Sequence, residues 1–405
     1  MADAFPASSL TARTAPRTAK EELLAAEASM SADQLIQHWG YPGERHSIPT
    51  EDGYLLTLQR IPWSRDAGQA EQAGQAAQAG QARPVVLLQH GLLQTADQWL
   101  LRGPGQDLAL LMSDQGYDVW LGNFRGNTYC KNHMTMSKDN AQFWDFSWHE
   151  NGFYDLAATI DYVLAVTGQP SLSYIGHSMG TTALLVLLAT RPEYNRRVRV
   201  ASLLAPVAYF SRPRGLTAML FPITRKIEHD VRAVHMELLP LGSVPRSAVG
   251  ALCRPGAPTA TLCMAAYSHT TGPDPRQMNA TLLPTVLSHV PAGSSLGQFV
   301  HYAQVQKSGL FRQYDHGVRG NTLRYGQPQP PLYNLSSVVA PVLFHYSTGD
   351  YLAHPKDVER LMGEVAGTAA AYKVPWKNFN HGDYMWAVDS YDLLYKTVLK
   401  SMREF

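Results

Sequence analysis

Residues 173–186 read SYIGHSMGTTALLV, and this stretch decides the fold. A short apolar run typical of a buried strand leads into Gly176, and a helix-like run of Ala, Leu and Val follows Gly180. Ser178 lies between the two glycines. An abrupt strand-to-helix turn strains the backbone there, and residues without side chains prevent steric collision. The pattern predicts that Ser178 is displayed at the carboxyl end of a sheet, above the N-terminus of a helix.

Outward from this turn, apolar runs alternate with amphipathic segments. Such alternation predicts parallel strand pairing with helices on both faces of the sheet, which is an α/β fold. Strands are predicted at 84–89, 117–122, 172–175, 198–205, 341–346 and 372–375, and helices at 105–115, 154–166, 180–190, 356–364 and 390–402.

The chain is predicted to divide into a core and an insertion. Residues 1–30 are a disordered leader, 31–208 and 339–405 are the two parts of the core, and 209–338 are an inserted cap. This insertion is rich in Pro and Gly and has no clear periodicity, so we expect it to cover the sheet edge irregularly. His46–Pro62 predicts a hairpin that turns at Glu51-Asp52-Gly53. Residues 65–83 repeat Ala-Gly-Gln-Ala and predict a flexible surface insertion.

Composition excludes several classes of function. The 405 residues carry a formal net charge of +1, and no run of Lys and Arg exceeds three residues, so nucleic acid is not an expected partner. No apolar run approaches the roughly 20 residues that span a bilayer. The three cysteines lack C-x-x-C spacing and no H-E-x-x-H motif occurs, so no metal or other cofactor is expected. The sequence leaves open whether Cys253 pairs with Cys263.

A displayed serine needs an imidazole to take its proton and a carboxylate to orient that imidazole. In an α/β nucleophile elbow the acid and then the histidine follow the serine, each after a later strand. Asp350 follows the strand predicted at 341–346, and His381 follows the strand predicted at 372–375. We therefore predict a catalytic triad of Ser178, Asp350 and His381. The other candidates are expected to be structural, capping or solvated: His345, His354, Asp357, Asp383 and Asp389.

The same chemistry requires donors for a developing oxyanion. Gln89-His90-Gly91-Leu92 ends the first buried strand, where the amide of Leu92 can face Ser178. The amide of Met179 supplies a second donor. The alternative for His90-Gly91 is a plain strand-ending turn.

Further motifs carry a family resemblance from about Ser31 to the C-terminus. They include GYPGERHSIPTEDGYLLTLQRIP, LQHGLLQTADQW, VWLGNFRGNTY, IGHSMGTT, TGDYLAHPKDV and FNHGDYMWAVD. On these motifs the chain resembles the acid lipases of the α/β-hydrolase superfamily, the family of gastric and lysosomal acid lipases. The resemblance implies hydrolysis of neutral lipid esters, triacylglycerols or sterol esters, at a lipid–water interface. It also implies a cap and lid over an acyl pocket, and it implies no protein partner.

The sequence departs from the family pattern at several places. Met179 replaces a frequent Gln, His354 replaces the usual Asp, and one of three usual cap cysteines is missing, which puts the family disulfide in doubt. The first 20 residues lack the apolar core of a secretory signal. Asn279 and Asn334 nevertheless begin glycosylation sequons that suit the secretory route. The compartment therefore stays open.

Two alternatives to hydrolysis remain at this point. One is a lipid-binding or storage protein that kept the fold without the chemistry, against which the complete set of Ser178, Asp350 and His381 argues. The other is an acyltransferase, in which an alcohol replaces water. Apolar side chains of the insertion would contact acyl chains or an oil surface, or else form the core of the insertion itself: Met219, Phe221, Met236, Leu238 and Leu239.

Overall fold

The computed structural model describes residues 23–24, 26–66, 83–219, 235–238 and 246–405. These residues form one mixed sheet with the spatial strand order β1-β2-β4-β3-β6-β7-β8-β9, and β5 pairs with β2 outside this path. The strands are β1 (Glu44–Pro49), β2 (Tyr54–Ile61), β3 (Val85–Gln89), β4 (Asp118–Gly122), β5 (Asn132–His133), β6 (Leu172–His177), β7 (Val198–Leu204), β8 (Val342–Tyr346) and β9 (Thr368–Lys373).

Six neighbouring strands, from β4 through β3, β6, β7 and β8 to β9, pair in parallel, whereas β1 and β2 form an antiparallel hairpin. The α/β fold and the hairpin are confirmed. The central strands β3, β4 and β6 are buried along their whole length, because helices cover both faces. The strand order reverses between β3 and β6. Ligands bind at such a switch point, beyond the carboxyl ends of the strands.

The helices that flank or extend this sheet include both long and very short elements. They are α1 (Ala32–His38), α2 (Leu108–Asp114), α3 (Trp148–Glu150), α4 (Ala157–Thr167), α5 (Met179–Thr190), α6 (Arg246–Cys253), α7 (Ala260–Thr271), α8 (Leu283–His289), α9 (Leu296–Ser308), α10 (Gly317–Tyr325), α11 (Pro355–Glu364), α12 (Asp383–Trp386) and α13 (Lys396–Met402). Turns of π-helix precede α4 and α13, at Asn151–Leu156 and Tyr391–Tyr395.

The expectation of an irregular block between β7 and β8 was wrong. Five helices, α6 to α10, lie in the described part of that segment. They gave no clear periodicity because their apolar side chains do not all face one core: α7, for example, has no buried residue. Cys253 and Cys263 form a disulfide bond between α6 and α7, and Cys130 is a buried free thiol.

One strand was placed too late in the sequence. The strand expected at 372–375 runs from Thr368 to Lys373. Its sequence, TAAAYK, contains three alanines, which have weak strand preference, and it lies at the exposed edge of the sheet.

Several sequence predictions lie outside the described residues. These are most of the leader, residues 67–82 of the Ala/Gly/Gln insertion, Phe221 and Leu239. Within the described ranges, no helix combines the length and apolar character needed to cross a membrane.

Candidate active site

Ser178 occupies a sharp turn between β6 and α5. Its backbone angles, φ 53° and ψ −116°, lie in a region that non-glycine residues rarely adopt. The two glycines permit this turn: a Cβ on Gly176 would lie 2.9 Å from the carbonyl carbon of Gly180, and one on Gly180 would lie 2.5 Å from the carbonyl oxygen of Gln89. Helix α5 therefore packs directly on β3, and the half-buried Ser178 is presented at the carboxyl ends of the parallel strands.

The structure brings the three predicted triad residues together. The Nε2 atom of His381 is 2.8 Å from Oγ of Ser178. Its Nδ1 atom is 2.8 Å and 3.0 Å from the two carboxylate oxygens of Asp350. Asp350 is fully buried and His381 is 6 % exposed, so water competes little for these bonds. With Nδ1 donating to Asp350, Nε2 is free to accept the serine proton.

The Asp350 carboxylate is itself held by its own loop. Its Oδ1 accepts the amides of Leu352 at 2.7 Å and Ala353 at 2.9 Å. These donors stabilise the ionised form and fix the direction in which the second oxygen points. His354, next along the loop, caps α11 by accepting the amide of Lys356 and does not contact the triad.

The other expected acids occupy different places. Asp357 is buried, and its carboxylate accepts the amides of Ser211 and Arg212, which ties α11 to the segment after β7. Asp389 accepts from the side-chain amide of Gln277. The expectation that Asp357 and Asp383 are solvated or capping was wrong. Both are buried, and Asp383, which is only 1 % exposed, accepts the amide of Asn380. Asp383 is buried because the segment 271–274 packs against the loop that carries Asn380 and His381.

The amides of Leu92 and Met179 are the predicted oxyanion donors, and the structure shows how close the loop before Leu92 comes to Ser178. A Cβ on Gly91 would lie 3.1 Å from Cβ of Ser178, so the loop after β3 passes beside the serine. Within the described residues neither amide is used by a backbone hydrogen bond outside regular structure. This arrangement suits an oxyanion, although the role of both amides stays a prediction.

Two further histidines, His90 and His177, support the site, although neither was among the predicted site residues. His90 donates from Nδ1 to the carbonyl of Gly91 at 2.7 Å, and its Nε2 accepts the amide of Phe124, which fixes the loop that carries Leu92. Burial lowers the pKa of His90 to about 4, so the ring is neutral. The position of His90, directly after a buried strand, was the signal that could have identified it.

His177 lies beside the triad histidine, with 4.9 Å between ring centroids. Its Nε2 bonds the carbonyl oxygen of His381 at 3.1 Å. Burial, and next the charge of His381, hold the pKa of His177 well below its usual range. A neutral His177 does not oppose the positive charge that His381 acquires when it takes a proton.

The remaining predicted residues lie away from the triad. His345 is buried within β8, as expected. Asn279 and Asn334 are exposed, and each side chain accepts backbone amides of its own sequon; their glycosylation stays a prediction. Within the described ranges, no cluster of three or more His, Cys, Asp and Glu side chains is arranged to hold a metal ion.

Comparison of the sequence with known proteins identifies related families and proteins. A model of a partial alpha/beta-hydrolase lipase region matches residues 32–103, and one of the alpha/beta hydrolase fold matches residues 84–222. Lipase 1 of Drosophila melanogaster is 40% identical over 92% of this chain and 80% of its own length. The gastric triacylglycerol lipases of Bos taurus and Homo sapiens are 37% and 35% identical, each over 93% of this chain and 92% of their own length.

Solved structures with low identity share the fold. One from Sulfolobus solfataricus has a TM-score of 0.58 at 11% identity and covers 89% of this chain and 94% of its own. Another, from Acinetobacter baumannii, has a TM-score of 0.51 at 12% identity and covers 97% of this chain and 99% of its own.

The fold and the elbow define an α/β hydrolase. With relatives this similar over nearly its whole length, the chain belongs to the acid lipase family of that superfamily. It is a carboxylic ester hydrolase that acts on lipid esters.

Proposed function

We propose that this chain hydrolyses neutral lipid esters, triacylglycerols or sterol esters, with Ser178 as nucleophile, His381 as base and Asp350 as orienting acid. The observation that carries the proposal is the chain of hydrogen bonds from Ser178 Oγ through both ring nitrogens of His381 to Asp350. Gastric relatives named for triacylglycerol support the glycerol ester as substrate. The sterol ester rests on the family resemblance.

The reaction follows from these contacts. Oγ of Ser178 attacks the ester carbonyl carbon while its proton passes to Nε2 of His381, and Asp350 stabilises the imidazolium. The carbonyl oxygen becomes an oxyanion that accepts the amides of Leu92 and Met179. When the carbon–oxygen ester bond breaks, the leaving alcohol takes the proton from Nε2 and an acyl-enzyme remains. Water then attacks the acyl carbon, with His381 again as base, and releases the fatty acid.

We infer that residues 209–338 act as a cap that contacts the lipid surface. Large apolar side chains in this segment are exposed: Met219 by 71%, Leu262 by 71% and Leu252 by 56%. Leu252 and Leu262 adjoin the two disulfide cysteines, so the disulfide brings two exposed leucines close together. Met236 is also 44% exposed, so neither it nor Met219 belongs to a core of the insertion. The pair of exposed leucines at the disulfide is the part of this segment that we expect to contact an oil surface.

The test compares the purified wild type with Ser178→Ala on a soluble short-chain ester and on emulsified long-chain triacylglycerol and sterol ester. We expect hydrolysis by the wild type, preferring the emulsions, and a loss of about 10⁴-fold or more in the variant. Ser173→Ala is the matched control, because Ser173 is a buried serine of β6, the strand that leads into Ser178, and among the described residues its hydroxyl bonds only the side chain of Arg199.

Equal activity of Ser178→Ala would remove the serine mechanism. A folded but inactive wild type would favour a lipid-binding protein, and a preference for the soluble ester would exclude lipase action. Addition of an acceptor alcohol tests acyl transfer, since a transferase would form the new ester faster than free fatty acid.

A further inference from the structure

The two loops that carry the acid and the base of the triad meet on one backbone carbonyl of the insertion. Thr271, at the end of α7, accepts the amide of Tyr351 at 3.2 Å and the amide of His381 at 3.1 Å. The side chain of Asn380 also donates to the carbonyl of Gly272 at 2.9 Å. The segment 271–274 therefore links the Asp350 loop to the His381 loop.

A pair of buried carboxyl groups lies at the end of this segment. Asp274 and Asp383 are each 1% exposed. Oδ2 of Asp274 accepts the indole N–H of Trp376 at 2.6 Å, and Oδ2 of Asp383 accepts the amide of Asn380 at 2.6 Å. Among the described residues, Oδ1 of Asp274 is buried and has no donor, while the two carboxyl groups are close enough to hydrogen-bond each other.

Two ionised carboxylates are not stable in this position. Burial penalises each charge, and the two like charges repel, so one of the groups must keep a proton. That proton gives Asp274 Oδ1 the donor that it otherwise lacks, because a protonated Asp383 donates to it. A single proton thus removes both the unsatisfied acceptor and the repulsion.

The surrounding groups favour this protonated state. Burial, and next the charges of Asp274 and Asp350, raise the pKa of Asp383 to about 9. The other ionisable groups nearby are Tyr267 on α7, Tyr384 on α12 and His381 on the same loop. The guanidinium of Arg276 lies over the Trp376 ring, 5.9 Å from its centroid.

We propose that Asp274 and Asp383 share one proton, and that this bond holds the segment 271–274 against the loop of His381 and so positions the triad. The proposal rests on the proposed function, since it assigns both groups to the same site as positioning residues. By this proposal, the insertion helps to fix the position of His381 relative to Asp350. Loss of the proton would place two negative charges together and loosen the contact at Thr271.

The pair predicts an alkaline limit to catalysis, because the geometry of the triad then depends on the shared proton. We would measure kcat and KM for a soluble short-chain ester from pH 4 to 10 with the full-length protein and its variants Asp274→Ala, Asp274→Asn and Asp383→Asn. Melting temperature would be followed at each pH.

We expect wild-type kcat to fall above pH about 9, where the shared proton is lost. The new side chain in Asp383→Asn can donate without titrating. The alkaline limb of its kcat–pH profile, where activity falls with rising pH, should therefore move up by about one pH unit or more. Asp274→Ala should lower kcat at pH 5 about tenfold with little change in KM, because a small misplacement of the base is costly. Asp274→Asn should restore most of this loss, since its amide can still accept from Trp376 and pair with Asp383.

Asp357→Asn is the control, because Asp357 is a buried carboxylate that also bonds the insertion, through the amides of Ser211 and Arg212 and not through the segment 271–274. Its alkaline limb should match that of the wild type. An unshifted limb in Asp383→Asn, or equal losses in Asp274→Ala and Asp274→Asn, would overturn the proposal.

Failure of the underlying function has a different signature. A phosphonate ester that modifies the nucleophile would then leave Ser178 of the wild type unlabelled by mass spectrometry. Labelling of Ser178 together with an unshifted limb in Asp383→Asn would refute the proton pair alone.

Discussion

Replacement of Asp350 by asparagine tests whether this carboxylate orients His381 and stabilises its positive charge. The structure determines how the new side chain must lie. Oδ1 of Asp350 accepts two backbone amides, from Leu352 and Ala353. Only an oxygen satisfies those donors, so the asparagine oxygen remains there. The –NH₂ group then takes the place of Oδ2, which is 2.8 Å from Nδ1 of His381.

The new amide donates to Nδ1, so the ring proton moves to Nε2. That proton faces Oγ of Ser178 at 2.8 Å, and His381 can no longer act as base without a change of tautomer. The lost attraction can be estimated from the 2.8 Å contact. With an effective dielectric constant of about 20, a carboxylate and an imidazolium at this distance attract by about 6 kcal/mol. A barrier higher by that amount corresponds to a loss of about 10⁴-fold in rate.

The assay is kcat/KM on a soluble ester, with melting temperature as the check on folding. Asp350→Ala is an informative companion, because it removes the carboxylate without forcing the wrong tautomer and so should lose less than Asp350→Asn. Asp357→Asn, the buried carboxylate on α11, is the control and should stay near wild-type activity. A folded Asp350→Asn enzyme within tenfold of the wild type would refute Asp350 as the orienting acid.

Two other substitutions test the surroundings of the triad. Gly382→Ala should lower kcat about 100-fold, because the new Cβ would collide with the Tyr267 ring, and we expect the loop of His381 to shift to relieve this collision; a loss under twofold would contradict this. Burial lowers the pKa of His345 to about 3, so the folded protein binds fewer protons than the unfolded chain and its stability falls as pH drops from about 6.5 towards 3. His345→Phe keeps the stacking on Tyr372 and should lose less stability over that range in denaturant titrations, whereas parallel curves for the two proteins would show that His345 does not contribute.

Much of the core could be predicted because its signals are local. Buried strands are continuous apolar runs, and the elbow requires two glycines around Ser178. The order of the chain in this fold then limits the acid and the base to the ends of later strands, where Asp350 and His381 are found. The edge strand β9 was predicted at the wrong residues, because three alanines in an exposed strand give no apolar signal.

The insertion was harder to predict for a physical reason. Helix α7, for example, has several apolar residues but none that is buried, so it carries no apolar stripe that faces a core. The disulfide between Cys253 and Cys263 joins two cysteines ten residues apart, whose Cα atoms lie 5.7 Å from each other. The spacing alone does not specify this pairing, because it depends on how α6 and α7 pack together.

The sequence by itself determined the elbow, the order of the triad and the alternation that builds the sheet, because each depends on residue type at fixed spacing. Only the tertiary structure decided that the carbonyl of Thr271 bonds both triad loops and that Asp274 and Asp383 are both buried. A backbone carbonyl is the same in every residue, so the sequence gives no sign of which one is used. A carboxyl group likewise shows its protonation only when its burial and neighbours are known.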